Sequence, residues 1–90
     1  MSQVVYKYGP IKKLKEPIEA RGKPVHFSMM PNGEFYVWCV VILPLSEMPG
    51  PGGDHILVAV YPTGEDWLGE YIDSYVTNDG FVWHAVRVFE

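Results

Sequence analysis

Residues 34–42 read EFYVWCVVI, and no polar face can be drawn on them. A strand with a core on one side and water on the other alternates apolar with polar side chains. Here Phe35, Val37, Cys39 and Val41 would point one way and Tyr36, Trp38, Val40 and Ile42 the other. Both sets are apolar. The same two-sided pattern recurs in 55–61 (HILVAVY) and largely in 81–89 (FVWHAVRVF).

The remaining segments read as strands parted by turn signals. VVYKY at 4–8 alternates and ends at Gly9-Pro10. Pro17 forbids a long helix through 11–20, because it has no N–H to donate and clashes with the preceding turn. That stretch is expected to be irregular, with a short edge strand near 17–20. A strand over 24–30, the turn PNGE at 31–34 and the two-sided strand make 24–42 one antiparallel hairpin. PLSEMPGPGG at 44–53 can be neither helix nor central strand and is expected to be a long loop. After the turn at 62–66, residues 67–76 form a strand with Tyr71, Asp73 and Tyr75 opposite Ile72, Ser74 and Val76. Gly69 marks a bulge there. TNDG at 77–80 turns the chain into the final strand.

This pattern predicts an all-β chain, a single domain over 1–90 with little or no helix. Six to seven strands form a small antiparallel β-sandwich or a partly closed barrel. Ninety residues cannot supply a third layer for every apolar face. Either 11–23 and the 44–53 loop fold over the outer face of 34–42, or another subunit does.

Composition supports a packed core, with 48% apolar and 14% aromatic residues. The single cysteine, Cys39, sits in the most apolar strand, where it reads as an inert core residue. No apolar run is long enough for a membrane span, and the N-terminus lacks the pattern of a secretion signal, so a cytoplasmic location and no membrane partner are expected. The net charge of −4 is uneven: residues 1–23 hold six Lys or Arg against two acids, and residues 24–90 hold Arg87 against nine. The basic run IKKLKEPIEARGK reads as a solvated edge rather than a nucleic-acid patch, because an acidic body repels phosphates.

Several short motifs resemble a family of small uncharacterised proteins of actinobacteriophages. They are Tyr6-Lys7-Tyr8, Trp38 in the central hairpin, Thr63-Gly64, Tyr71-Ile72, Val82-Trp83-His84 and the terminal Phe89-Glu90. Asp73-Ser74 stands where that family has Gly-Thr, and AVRV separates His84 from the terminal pair. The resemblance implies a phage origin and expression in the host cytoplasm. It implies no activity.

Candidate chemistry is sparse. His26, His55 and His84 stand 29 residues apart without the local spacing of a metal site, and no nucleophile elbow or phosphate-cradling loop occurs. A non-enzymatic protein without metal or cofactor is expected. Tyr and Trp exceed what one small core needs, and both suit interfaces. The sequence therefore points to a phage accessory protein that binds a host protein or itself, as a homodimer or higher, through Tyr36, Trp38, Ile42, Trp67 and Trp83. One alternative is an oligomeric small-molecule or nucleotide binder using Lys7, Lys23 and Arg87. Another is a minor virion component.

Overall fold

The computed structural model describes residues 2–43 and 55–89. The 44–53 loop singled out above lies outside the described residues. Seven strands follow one another: β1 (Ser2–Ile11), β2 (Ile18–Arg21), β3 (Lys23–Met29), β4 (Phe35–Leu43), β5 (His55–Pro62), β6 (Gly69–Val76) and β7 (Val82–Val88). They form two antiparallel sheets, ordered β1-β4-β3 and β2-β5-β7-β6. No backbone ladder among the described residues joins the sheets, so of the two expected architectures the chain adopts the sandwich.

The two hairpins close with loops of the same construction. Met30 N–H donates to Glu34 O and Gly33 N–H to Met30 O; Thr77 N–H donates to Phe81 O and Gly80 N–H to Thr77 O. Both glycines have positive φ, as such loops require. The expected hairpin over 24–42 is β3–β4, with Ser28 opposite Tyr36 and His26 opposite Trp38.

The interior is made by the inward half of the two-sided strands. Val37 and Cys39 of β4 and Phe27 of β3 meet Val58 and Val60 of β5 and Ala85 of β7, all essentially inaccessible. A single residue, Gly22, separates β2 from β3, and there the chain crosses from one sheet to the other. Its φ is +95°, and a Cβ at this corner would lie 2.4 Å from Val40 O. Glycine alone fits so tight a strand-to-strand approach.

Residues 11–23 do not fold over the outer face of β4, contrary to one expectation. Lys15 N–H donates to Val60 O, and Ile18–Arg21 pair with His55–Val58 as the edge of the four-stranded sheet. Backbone donors on an edge strand need acceptors, and β5 supplies them more fully than an apolar sheet face does. The short edge strand read near 17–20 is therefore present, on the other sheet.

The bulge expected at Gly69 lies instead between Tyr71 and Asp73, where Ile72 is the extra residue. Strict alternation would put Tyr71, Asp73 and Tyr75 on one face. The bulge keeps Tyr71 outside opposite Val86, while Ile72 and Tyr75 pack against the core and Asp73 stands opposite Ala85. A second bulge, at Val25, lies across the gap on β3. Between the two, Asp73 bridges the sheets. Phe27 N–H donates to Asp73 Oδ2 at 3.2 Å, and His26 Nδ1 is 3.7 Å from the same oxygen. The carboxylate thus supplies the acceptor that a neighbouring strand would otherwise give an edge amide. Asp73→Ala is expected to cost about 1–2 kcal/mol in urea unfolding, by leaving that amide without a protein partner. An unchanged midpoint would show that water replaces the carboxylate freely.

Candidate functional site

The apolar outer faces of the two sheets have different fates. On the four-stranded sheet, Ala59 and Val86 are fully buried although they lie on the side away from the core cluster. Tyr71, opposite Val86 in the ladder, carries an aromatic cap on that side: its ring lies 6.1 Å from Trp67 and 5.7 Å from His84, measured between centroids. This cap is pinned by a short relay at His84. The ring lies 3.0 Å from Tyr71 Oη through Nδ1 and 2.7 Å from Thr63 Oγ1 through Nε2, and Thr63 Oγ1 donates to Val82 O at 3.2 Å.

A hydroxyl beside an imidazole that a third group orients is the outline of a nucleophilic triad. A structural role accounts for the same contacts. In the tautomer with the proton on Nε2, Thr63 receives that proton and gives its own to the Val82 carbonyl, while Nδ1 accepts from Tyr71, so every partner is satisfied. The arrangement acts as a clasp holding the 63–71 segment, with Trp67, against the sheet.

The outer face of the three-stranded sheet carries Tyr36, Trp38, Val40 and Ile42 in one row along β4. Cross-strand pairing places Val5 beside Val40 and Lys7 beside Trp38 from β1, and His26 beside Trp38 from β3. The rings form a contiguous strip. Lys7 Nζ sits 4.8 Å from the centre of the Tyr36 ring, Tyr36 is 6.5 Å from Trp38, and Trp38 is 5.2 Å from His26. Among the described residues this face has no cap: Val5 is 56% exposed, and Val25 and Ile42 are each 50% exposed.

The five residues singled out from sequence therefore fall in three places. Tyr36, Trp38 and Ile42 share the open face. Trp67 belongs to the cap on the opposite sheet. Trp83 packs against the core, its ring 6.0 Å from Phe35. Lys7, Val5 and His26 belong to the open face and were not singled out for it. The position of His26 is implied by the hairpin, since residues equidistant from the 30–34 turn stand opposite each other. Those of Val5 and Lys7 depend on the β1–β4 pairing, which no local signal announces.

The three histidines stand on separate parts of the molecule. His26 is at the seam with Asp73, His84 is in the clasp, and His55 Nε2 is 3.6 Å from Glu19 Oε1. Among the described residues no group of three or more His, Cys, Asp or Glu is placed to hold a metal ion. Burial pushes the Cys39 thiol up to about 11, so at neutral pH it is not the thiolate that nucleophilic chemistry needs. No helix among the described residues is long and apolar enough to cross a membrane. Three lysines of the basic run each lie beside an acid: Lys12 with Glu34 at 4.0 Å, Lys13 with Glu16 at 3.8 Å and Lys15 with Glu65 at 2.5 Å.

Lys23 and Arg87 line one cleft of about 460 Å³ where β3 and β6 diverge, together with Val40, Ile42, Ile72 and Glu70. The Glu70 carboxylate is 4.0 Å from the Arg87 guanidinium. Lys7, the third base proposed for a nucleotide, does not line this cleft. No protein-family model, curated protein or solved structure matches the chain, so the open face and the cleft are weighed on their own geometry.

Proposed function

We propose that this chain is a non-enzymatic phage accessory protein that acts in the host cytoplasm by docking on a protein partner through the outer face of β1-β4-β3. One contrast supports the reading. Each sheet has an apolar outer face; on the four-stranded sheet Tyr71 and Trp67 form an aromatic cap beside Val86, whereas among the described residues the three-stranded sheet has no such cap. An apolar strip rimmed by polar groups, with Trp and Tyr at its centre, has the make-up of an interface core. The Tyr6-Lys7-Tyr8 and Val82-Trp83-His84 motifs supply the phage setting.

The test is capture from an actinobacterial lysate, with the solution mass followed over a concentration series. Wild type is expected to retain a partner, and Trp38→Ala to lose at least about tenfold in affinity. Because Trp38 lies outside the core cluster, the unfolding free energy of that variant should fall by only about 1 kcal/mol. Equal retention by both proteins, with unchanged mass, would remove the docking reading.

A second reading, small-molecule or nucleotide binding, is favoured by the convergence of Lys23 and Arg87 on the cleft. A nucleotide panel that raises the melting temperature of wild type but not of Arg87→Ala would support it.

A further inference from the structure

We infer that the occupant of the open face is an extended acidic segment of a partner protein rather than a second copy of this chain, an inference that rests on the docking reading above. The chain has eleven Asp and Glu residues, yet β1, β3 and β4 contain none. What charge these strands carry is positive: Lys7 on β1 and Lys23 on β3, with Lys7 and His26 flanking Trp38 from opposite sides. The strands of the other sheet carry Glu19, Glu70 and Asp73 against Arg21 and Arg87. Among the described residues no carboxylate lies within ion-pair distance of Lys7 or Lys23, whereas Lys12, Lys13 and Lys15 each have one.

This asymmetry decides between the two kinds of partner. In a two-fold dimer the same patch meets itself. Face-to-face pairing of two copies would bring Lys7 and Lys23 toward their own counterparts and bury them without an acid, which costs more than the apolar contact near them returns. A partner with carboxylates beside apolar residues has no such penalty.

The register gives the spacing. Lys7 stands opposite Trp38, and Lys23 opposite Val40. Two inter-strand steps and two residues of rise separate them, about 12 Å on the diagonal. In an extended chain, residues i and i+4 project to the same side about 13 Å apart, with i+2 midway between them. A segment of the pattern acid-x-apolar-x-acid therefore sets one carboxylate at Lys7, the other at Lys23 and its middle side chain over Trp38 and Val40.

The probe is a capped seven-residue peptide with Glu at its second and sixth positions, Tyr at the fourth and Gly or Ser elsewhere. The readout is the indole N–H resonance of Trp38; Trp67 and Trp83, which lie elsewhere, are internal references. A saturable shift confined to Trp38 is expected, about fivefold weaker in Lys7→Glu and in Lys23→Glu, both checked for native fold by circular dichroism. No shift at several millimolar peptide would overturn the inference. So would an oligouridylate that moves Trp38 at lower concentration than the peptide, or a solution mass that rises with concentration in wild type and not in Trp38→Ala. Lysate capture separates this failure from the wider one. Capture lost with Trp38→Ala but retained with Lys7→Glu and Lys23→Glu would reject the acidic partner and leave the docking face standing.

Discussion

Gly69→Ala will destabilise the protein by about 3 kcal/mol or more, enough to leave a domain of this size largely unfolded in moderate urea. Gly69 opens β6 at a φ of +142°, and a Cβ added there would lie 1.8 Å from Arg87 O and 3.1 Å from Val88 Cα. Neither atom can withdraw easily, because β7 is held on both sides, by β5 and by β6. The strand would have to separate at its first residue, which also carries the chain in from the Trp67 cap. Gly64→Ala is the control. Its φ of +94° is also left-handed, but nothing lies within 4 Å of the added Cβ. Only the backbone penalty remains there, about 1 kcal/mol. Equal effects of the two substitutions would mean that β6 does not approach β7 as closely as described.

Phe27→Ala is expected to cost about 3–5 kcal/mol, the range for removing a large aromatic ring from a core that relaxes only partly. Phe27 is 1% exposed, stacks on Phe35 at 5.1 Å between centroids, and gives its backbone N–H to Asp73 across the gap between the sheets. Its loss opens a cavity at the point where the two sheets are bridged. The comparison with Trp38→Ala is informative, since both residues are large aromatics on the β3–β4 hairpin. Phe27 is expected to govern stability and Trp38 binding. Urea unfolding of both variants, set beside partner capture, separates the roles. A cost below about 1 kcal/mol for Phe27→Ala would contradict the placement of the core.

Local signals carried most of the architecture. PNGE fixed the β3–β4 hairpin, TNDG the β6–β7 hairpin, and Pro17 confined β2 to a short edge strand. Those are decisions made within a few residues by backbone geometry. Pairing between distant segments was not legible. Nothing in Ile18–Arg21 says that its partner is β5 rather than β4, and nothing in Val5 or Lys7 says that β1 lies beside β4. The bulge was misplaced for a related reason. Gly69 is glycine because β7 approaches it closely, whereas the extra residue at Ile72 answers to the core, which needs Ile72 and Tyr75 inside while Tyr71 stays out.

The candidate site was half legible for the same cause. Alternation along β4 assigns Tyr36, Trp38 and Ile42 to one face without reference to any other strand. Trp67 and Trp83 look equivalent to them in sequence, since hydrophobicity does not record which sheet a ring belongs to. The absence of acids from β1, β3 and β4 was present in the residue order as well. It carried no meaning until the β1–β4 and β3–β4 ladders placed those three strands side by side.

The strands of one sheet carry Lys7 and Lys23 and no acid, while those of the other carry Glu19, Glu70 and Asp73 against Arg21 and Arg87, and this difference gives the molecule an electric dipole component across the stack of its two sheets. The net charge of −4 repels an acidic partner at long range. At separations comparable to the size of the molecule, the field of that partner also exerts a torque, turning the acid-free side toward it before any contact forms. Orientation then offsets repulsion during the encounter. Added salt weakens both, and does so most steeply for whichever reaches further. For a chain with two dissimilar sides, the rate of productive collision is thus set less by total charge than by how that charge is divided between the sides.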